Sequence, residues 1–388
     1  SLYTPTVGHR LPVEFLVHDN DTGSGLDAIV TLSKLDNDRA HQTTEVWTYT
    51  FLGNKDGNKL STEENIVSNT FSLEKNYPNP FNPTTSFTFG ISSSIEVNIN
   101  IYNILGQKIF SYSNGKLDAG TYEFNWSGID QIGQQVTSGI YFYEMEWRSV
   151  GILLATRKHG ETSLIIDTFC PGYGRYLGVV KGGASRKFSP ILQVGAQLDL
   201  TWSARLQDHL GSFKVELVRA RTVNAMNDRI LTAGLTTVST ILSRVLPERH
   251  AYDNFYRTTE DLLDLLSQPK VWPLAYLHWE LELLSVLGYG LDLSKCAVSG
   301  CTDNLRYVSP RTGRAISEQA AGVWAPKLLH LPPIILKGSE NSDSIIDGLK
   351  LTGYFLTKKV FSELSVKSPV SERQRFVDLL TQKASSGF

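Results

Sequence analysis

Polar and apolar residues alternate with period two in short stretches up to about residue 216, and from residue 224 the apolar spacing lengthens to that of a helix. Leu11–Val17 and Glu45–Phe51 alternate, the latter with Val46, Tyr49 and Phe51 among polar residues. Further stretches cover Thr85–Phe89, Glu96–Tyr102, Lys108–Tyr112, Gly120–Trp126 and Gly139–Glu144. Asn114-Gly115, Asp118-Ala119-Gly120 and Asp130 separate them, residue types that adopt turn backbone at little cost. Strands at this spacing predict a small β-sandwich. Three prolines within Tyr77–Pro83 exclude helix there. Residues 53–69 are polar and turn-rich and read as a linker.

Strands continue from Gly151 to about Glu216 in a basic context. Over 224–246, 252–267 and 272–288 apolar residues recur at i, i+3, i+4 and i+7; in the first, Ile230, Leu231, Leu235, Val238, Ile241, Leu242 and Val245 form one stripe. Pro247 closes the first helix and Gly288-Tyr289-Gly290 the third. Residues 294–316 read as irregular, and helices resume at 316–322, 343–364 and 371–384. The order is multidomain β and then α. The lack of βαβ alternation argues against a doubly wound sheet.

Charge sharpens the division. Residues 1–144 carry 8 Lys+Arg against 16 Asp+Glu, and residues 145–388 carry 29 against 23. Residues 145–222 alone hold 11 basic residues against 6 acidic. Lys181, Arg186 and Lys187 flank Gly182-Gly183, where a mobile loop would let phosphates approach. Tyr173, Tyr176 and Phe188 are the aromatics interleaved with these charges, as in a single-strand platform. The competing reading makes these cations solvated surface and the aromatics core. No apolar run reaches the roughly 18 residues of a membrane span.

Three segments resemble known families. Asp19–Gly25 is rich in oxygen ligands and glycine but lacks the far bidentate Glu of a calcium loop, so a polar turn is expected. Residues 1–55 resemble the last strands of a carbohydrate-binding sandwich of the family 9 type. Tyr77-Pro78-Asn79-Pro80-Phe81-Asn82-Pro83, Ile101-Tyr102-Asn103-Ile104-Leu105-Gly106-Gln107, Ala119-Gly120-Thr121-Tyr122 and Ser138-Gly139-Ile140-Tyr141-Phe142-Tyr143 resemble the Ig-like C-terminal sorting domain of type IX secretion substrates. Met145-Glu146-Trp147-Arg148, His159-Gly160-Glu161-Thr162-Ser163, Val180-Lys181-Gly182-Gly183, Leu242–Glu248 and Trp279–Leu291 resemble, in order and spacing, RecO recombination mediators over 145–384. That resemblance implies an OB-fold, a helical domain, binding of single- and double-stranded DNA, strand annealing, and recombinase loading in a RecFOR-type pathway. It implies RecR and single-strand DNA-binding protein as partners and a cytoplasmic setting.

The expected organisation is therefore a β-sandwich fragment (1–55), a linker (56–69), an Ig-like sandwich (70–144), an OB-fold barrel (145–222) and an α-helical domain (223–388). The expected DNA contacts are Arg175, Lys181, Arg186, Lys187, Arg205 and Lys214. Cys170 reads as a buried strand residue. Many RecO members hold zinc with four cysteines; Cys296 and Cys301 are the degenerate remainder, so no metal is expected. Neither a P-loop nor a G-x-S-x-G elbow occurs, and no catalytic residue and no cofactor are expected. His159 falls in a loop without a nucleophile, and Glu260, Asp261 and Asp264 read as the wet face of a helix. The alternative is a secreted or cell-surface protein with carbohydrate-binding and sorting modules. The implied compartments conflict, and Met145 reads as the start of a separate gene product, joined naturally or wrongly.

Overall fold

The computed structural model describes residues 27–32, 47–52, 72–91, 93–204, 210–337, 342–364 and 370–385. Two compact units divide the chain, Ser1–Ile66 and Val67–Phe388. In the first, β1 (Asp27–Leu32) and β2 (Trp47–Leu52) form an antiparallel pair, Asp27 opposite Leu52 and Leu32 opposite Trp47. The strand expected over Glu45–Phe51 is this β2. Leu11–Val17, the Asp19–Gly25 turn and the 56–69 linker lie outside the described residues.

The second unit begins with β3 (Ser72–Leu73), β4 (Thr85–Ile91), β5 (Ile95–Asn103), β6 (Lys108–Leu117) and β7 (Gly120–Trp126). β4 and β5 bury alternate residues, as their sequence pattern requires. β3, β4 and β7 form one sheet, and β5 and β6 belong to another. Phe87, Phe89, Val97, Ile99 and Phe124 fill the space between.

The next strand runs across the expected boundary at 144/145. β8 runs without interruption from Tyr141 to His159, through the Met145 boundary. Its first part, Tyr141–Glu146, pairs with β5. Met145–Ile152 pairs along the opposite edge with β11 (Gln197–Ala204), and Ile152–His159 pairs with β9 (Ser163–Cys170). Met145 and Trp147 point into the core, continuing the period-two phase across the boundary.

β10 (Gly174–Val180) and β12 (Ser212–Arg219) complete the sheet. β9 pairs antiparallel with β10, β10 parallel with β12, β12 antiparallel with β11, and β11 with β8. These five strands close on themselves in the order β8-β9-β10-β12-β11-β8. Trp147, Tyr176, Leu198, Leu200, Trp202 and Phe213 plug the interior. Tyr173 stacks on Trp147, centroids 3.9 Å apart. The upstream strands and the barrel share one core, and Tyr173 donates its hydroxyl to the Glu96 carbonyl at 3.1 Å.

Helices follow, as the change of period predicts: α1 (Thr222–Ala225), α2 (Arg229–Val245), α3 (Asp253–Asp264) and α4 (Trp272–Val286). The Asp228 side chain caps α2 by accepting from the Ile230 and Leu231 amides. The stretch read as irregular, 294–316, contains two strands, β13 (Leu305–Val308) and β14 (Ala315–Ser317). The helix expected at 316–322 shrinks to one turn, α5 (Glu318–Ala321), followed by a 3-10 segment over Gly322–Lys327. β15 (Leu329–His330) pairs with β13. α6 (Pro333–Lys337) leads to α7 (Ser342–Phe355), a π turn over Leu356–Val360, α8 (Phe361–Glu363) and α9 (Val370–Ser385). Ile152, Leu154 and Phe169 of the barrel belong to the helical core. The architecture is sheet-rich first and helical second.

Candidate nucleic-acid interface

Antiparallel pairing sends the end of β8 and the start of β9 to one end of the barrel, where β10 also ends. Arg157, Lys158 and His159 occupy the last positions of β8, opposite Ile165, Leu164 and Ser163, and all three are exposed. Lys181 follows β10 directly, and Val180 at its end lies opposite Leu164. The Ala184 amide donates to the Thr162 carbonyl at 3.0 Å, tying the loop after β10 to the β8–β9 turn. Lys181, Arg186 and Lys187 are exposed on that loop. Six cations are thereby gathered from separate places in the sequence once Lys214 is included. Lys214 points outward from β12 between buried Phe213 and Val215, and β12 meets β10 through Val179 and Ser212. None of the six forms an ion pair with a described residue.

The loop is more ordered than its glycines suggest. Gly182 has φ +69°, a turn conformation that L side chains rarely adopt. The Gly183 amide bonds the Val180 carbonyl at 3.1 Å, and the Ser185 amide bonds the Gly182 carbonyl at 3.0 Å. Phe188 is half-buried and packs on the core, with Lys187 Nζ 5.8 Å from its ring centroid. Arg157, Lys158 and His159 were missed as site residues. Only strand register shows that they lie at the barrel end that carries the 181–187 loop, and His159 ends a strand instead of lying in a loop.

Several other expected groups lie elsewhere. Arg175 binds Asp167 with Nε 3.0 Å from each carboxylate oxygen, and its Nη1 donates to the Leu246 carbonyl at 3.2 Å. It joins barrel to helices. Burial pushes the Asp167 carboxyl up to about 6, against the opposing pull of Arg175. Arg205 lies outside the described residues. Tyr173 and Tyr176 are buried in the barrel and offer no open face to a base, so the reading of them as core holds. The acidic trio is not simply a wet face. Glu260 and Asp264 receive the fully buried Arg221, Nε to Asp264 Oδ1 at 2.6 Å, and Asp264 also binds Arg219. Arg148 is bound to Asp199. Four arginines counted as basic surface are thus neutralised locally.

Cys170 is buried at the end of β9, and burial pushes its thiol up to about 12. Cys296 is buried and Cys301 exposed. Burial raises the Cys296 thiol, but the Ser299 and Ser317 side chains together with their amides (3.4 and 3.3 Å from the sulfur) outweigh that and lower it to about 5. Ser299 Oγ lies 3.0 Å from Cys301 Sγ. Structural zinc requires four thiolate or imidazole ligands. Two sulfurs fall short of that set, and no cluster of three or more His, Cys, Asp or Glu suited to a metal occurs among the described residues. No described helix is long and apolar enough to cross a membrane.

A barrel with a cationic end, joined through a common core to a helical bundle, is matched by two families of recombination protein. "Recombination protein O N terminal" covers residues 145–221, and "Recombination protein O C terminal" covers residues 226–367. The DNA repair protein RecO of Roseobacter denitrificans is 52% identical over 241 residues, 62% of this chain and 100% of that protein. That of Ruegeria sp. is 50% identical over 240 residues, again 62% and 100%. The chain belongs to the RecO family of DNA repair and recombination proteins, which are mediators and not enzymes. Upstream, residues 76–149 match the family "FlgD Ig-like domain". Solved FlgD structures from Pseudomonas aeruginosa and Helicobacter pylori share 20% and 15% identity. They cover 28% and 40% of this chain and 85% and 90% of their own, at TM-scores of 0.17 and 0.18, too low to carry an argument.

Proposed function

We propose that the cationic end of the barrel binds the phosphate backbone of single- and double-stranded DNA, and that the protein anneals strands and helps load recombinase in a RecFOR-type pathway. One observation carries this reading: the β8–β9 turn and the 181–187 loop are hydrogen-bonded together and gather Arg157, Lys158, Lys181, Arg186 and Lys187 at one end of the barrel, none of them in an ion pair with a described residue. Clustered cations release counterions on meeting phosphates, which gives sequence-independent affinity. The same neutralisation lowers the repulsion between two strands brought together, the physical requirement of annealing. The closed strand order β8-β9-β10-β12-β11-β8 supports an OB-fold at 145–222, followed by a helical domain at 223–388. The facing sheets β3-β4-β7 and β5-β6 support an Ig-like sandwich over 70–144. RecR and single-strand DNA-binding protein as partners, and a cytoplasmic site of action, rest on the family relationship.

The test is fluorescence anisotropy of a labelled dT oligonucleotide across a salt series. Reversing Lys181, Arg186 and Lys187 to Glu flattens the slope of log K against log[salt] by at least about 2, since each lost phosphate contact removes about 0.7. A slope equal to that of the unmodified protein would refute the assignment.

A further inference from the structure

We infer that Trp324, on the 3-10 segment of the helical domain, is a base-stacking platform for single-stranded nucleic acid, a second contact remote in sequence from the barrel's cationic end; this rests on the DNA-binding reading above. Trp324 is 60% exposed beside Val323, which is 89% exposed, so the indole is open to a stacking partner. The indole is nevertheless held. In a 3-10 helix the side chains at i and i+3 eclipse, which sets Lys327 over Trp324, Nζ 4.9 Å from the ring. Pro326 stiffens the same turn. One ring face carries a cation and little entropy is left to lose on stacking.

The setting favours a polyanion that displays aromatic faces. Residues 293–331 contain five Lys+Arg against two Asp+Glu. Arg306 pairs with Glu318 and Arg314 with Asp292, which leaves Lys295, Arg311 and Lys327 without an ion pair to a described residue. In β15, Leu329 faces Val308 and His330 faces Tyr307. The antiparallel register therefore carries the residues before Leu329 toward the β13–β14 turn that bears Arg311. The exposed indole and two unpaired cations share one end of the small sheet. Phosphates meet the cations and a base meets the open indole face, an arrangement that tolerates any sequence.

The experiment compares the full chain with Trp324→Ala and Trp324→Phe on two probes of equal length, a dT oligonucleotide and an abasic deoxyribose-phosphate strand. Trp324→Ala is expected to weaken dT binding about 5- to 20-fold with the salt slope unchanged, to leave abasic binding unaltered, and to be partly rescued by Trp324→Phe. Equal dT affinity in Trp324→Ala overturns the inference alone. An equal loss on both probes overturns it too, because the side chain would then act through the backbone contacts. Unaltered dT affinity with lost binding to single-strand DNA-binding protein assigns the indole to a protein partner and overturns it. If the unmodified chain binds neither probe in dilute buffer, the DNA-binding reading itself fails.

Discussion

Arginine count is a poor guide to free charge in this protein. Arg148, Arg175, Arg219 and Arg221 all satisfy carboxylates of the same chain, while the barrel's cations without an ion pair to a described residue lie on one loop, at one strand end and at Lys214 of β12. Burial sharpens the stakes at Glu280, which is fully buried. It accepts from Arg373 (Nε 2.6 Å, Nη2 2.8 Å), from the Tyr276 hydroxyl (2.6 Å) and from Thr352. Removing one partner of a buried pair strands the other's charge, at about 3–5 kcal/mol. Glu280→Gln is therefore expected to lower the urea midpoint by that equivalent, and a combined Glu280→Leu, Arg373→Met variant to recover part of it. Asp167 makes a separate prediction. Its carboxyl titrates near 6 when folded against an ordinary value of 3.8, so the folded state holds the proton more tightly. The stability this site contributes is complete below about pH 4 and is lost as pH rises through 6. Relative to Asp167→Asn, the unmodified protein should thus lose up to about 3 kcal/mol between pH 4 and 7. A difference flat in pH, measured by urea unfolding, rules this out.

Among the elements, the β9–β10 connection decides how barrel and helices meet. Gly174 has φ +71°, and a Cβ there would stand 1.8 Å from the His250 carbonyl oxygen. The Arg249 amide bonds the Arg175 carbonyl at 2.8 Å in the same place. Gly174→Ala thus combines an unfavourable backbone conformation with a backbone clash and is expected to cost at least about 2 kcal/mol. An unchanged thermal midpoint would show that the two parts separate easily. Helices α2 and α3 were legible because their apolar stripes are regular, and α4 because it is an apolar run closed by the glycines at 288 and 290. β13 and β14 were not, because four- and three-residue strands hold too few alternations to stand out from a turn-rich stretch. β8 was legible only in halves. Its two edges change partner along its length, and pairing is a tertiary fact.

For the whole molecule, the upstream sheets β3-β4-β7 and β5-β6 bear on what reaches the barrel. They adhere at the β9–β10 turn, where Ser93 binds the Gly172 carbonyl. The cationic loop is at the other end of β9, eight residues or roughly 25 Å away at strand rise. These upstream strands therefore leave that end clear. Residues 145–388 produced alone are expected to bind the dT oligonucleotide with the same salt slope as the full chain. A steeper slope would mean that the acidic upstream part opposes binding from a distance.

The sequence by itself determined the succession of sheet-rich and helical regions, the family of residues 145–384 and the presence of a basic loop at Lys181–Lys187, because period, turn residues and composition are local properties. The tertiary structure alone decided which cations are open, which aromatics are core, and that Tyr141–His159 is a single strand pairing with β5 upstream and with β9 and β11 downstream. Those outcomes depend on how distant segments are brought together, and only the folded register places Arg157 and Lys181 at one end of the barrel or brings Arg221 within hydrogen-bonding range of Asp264.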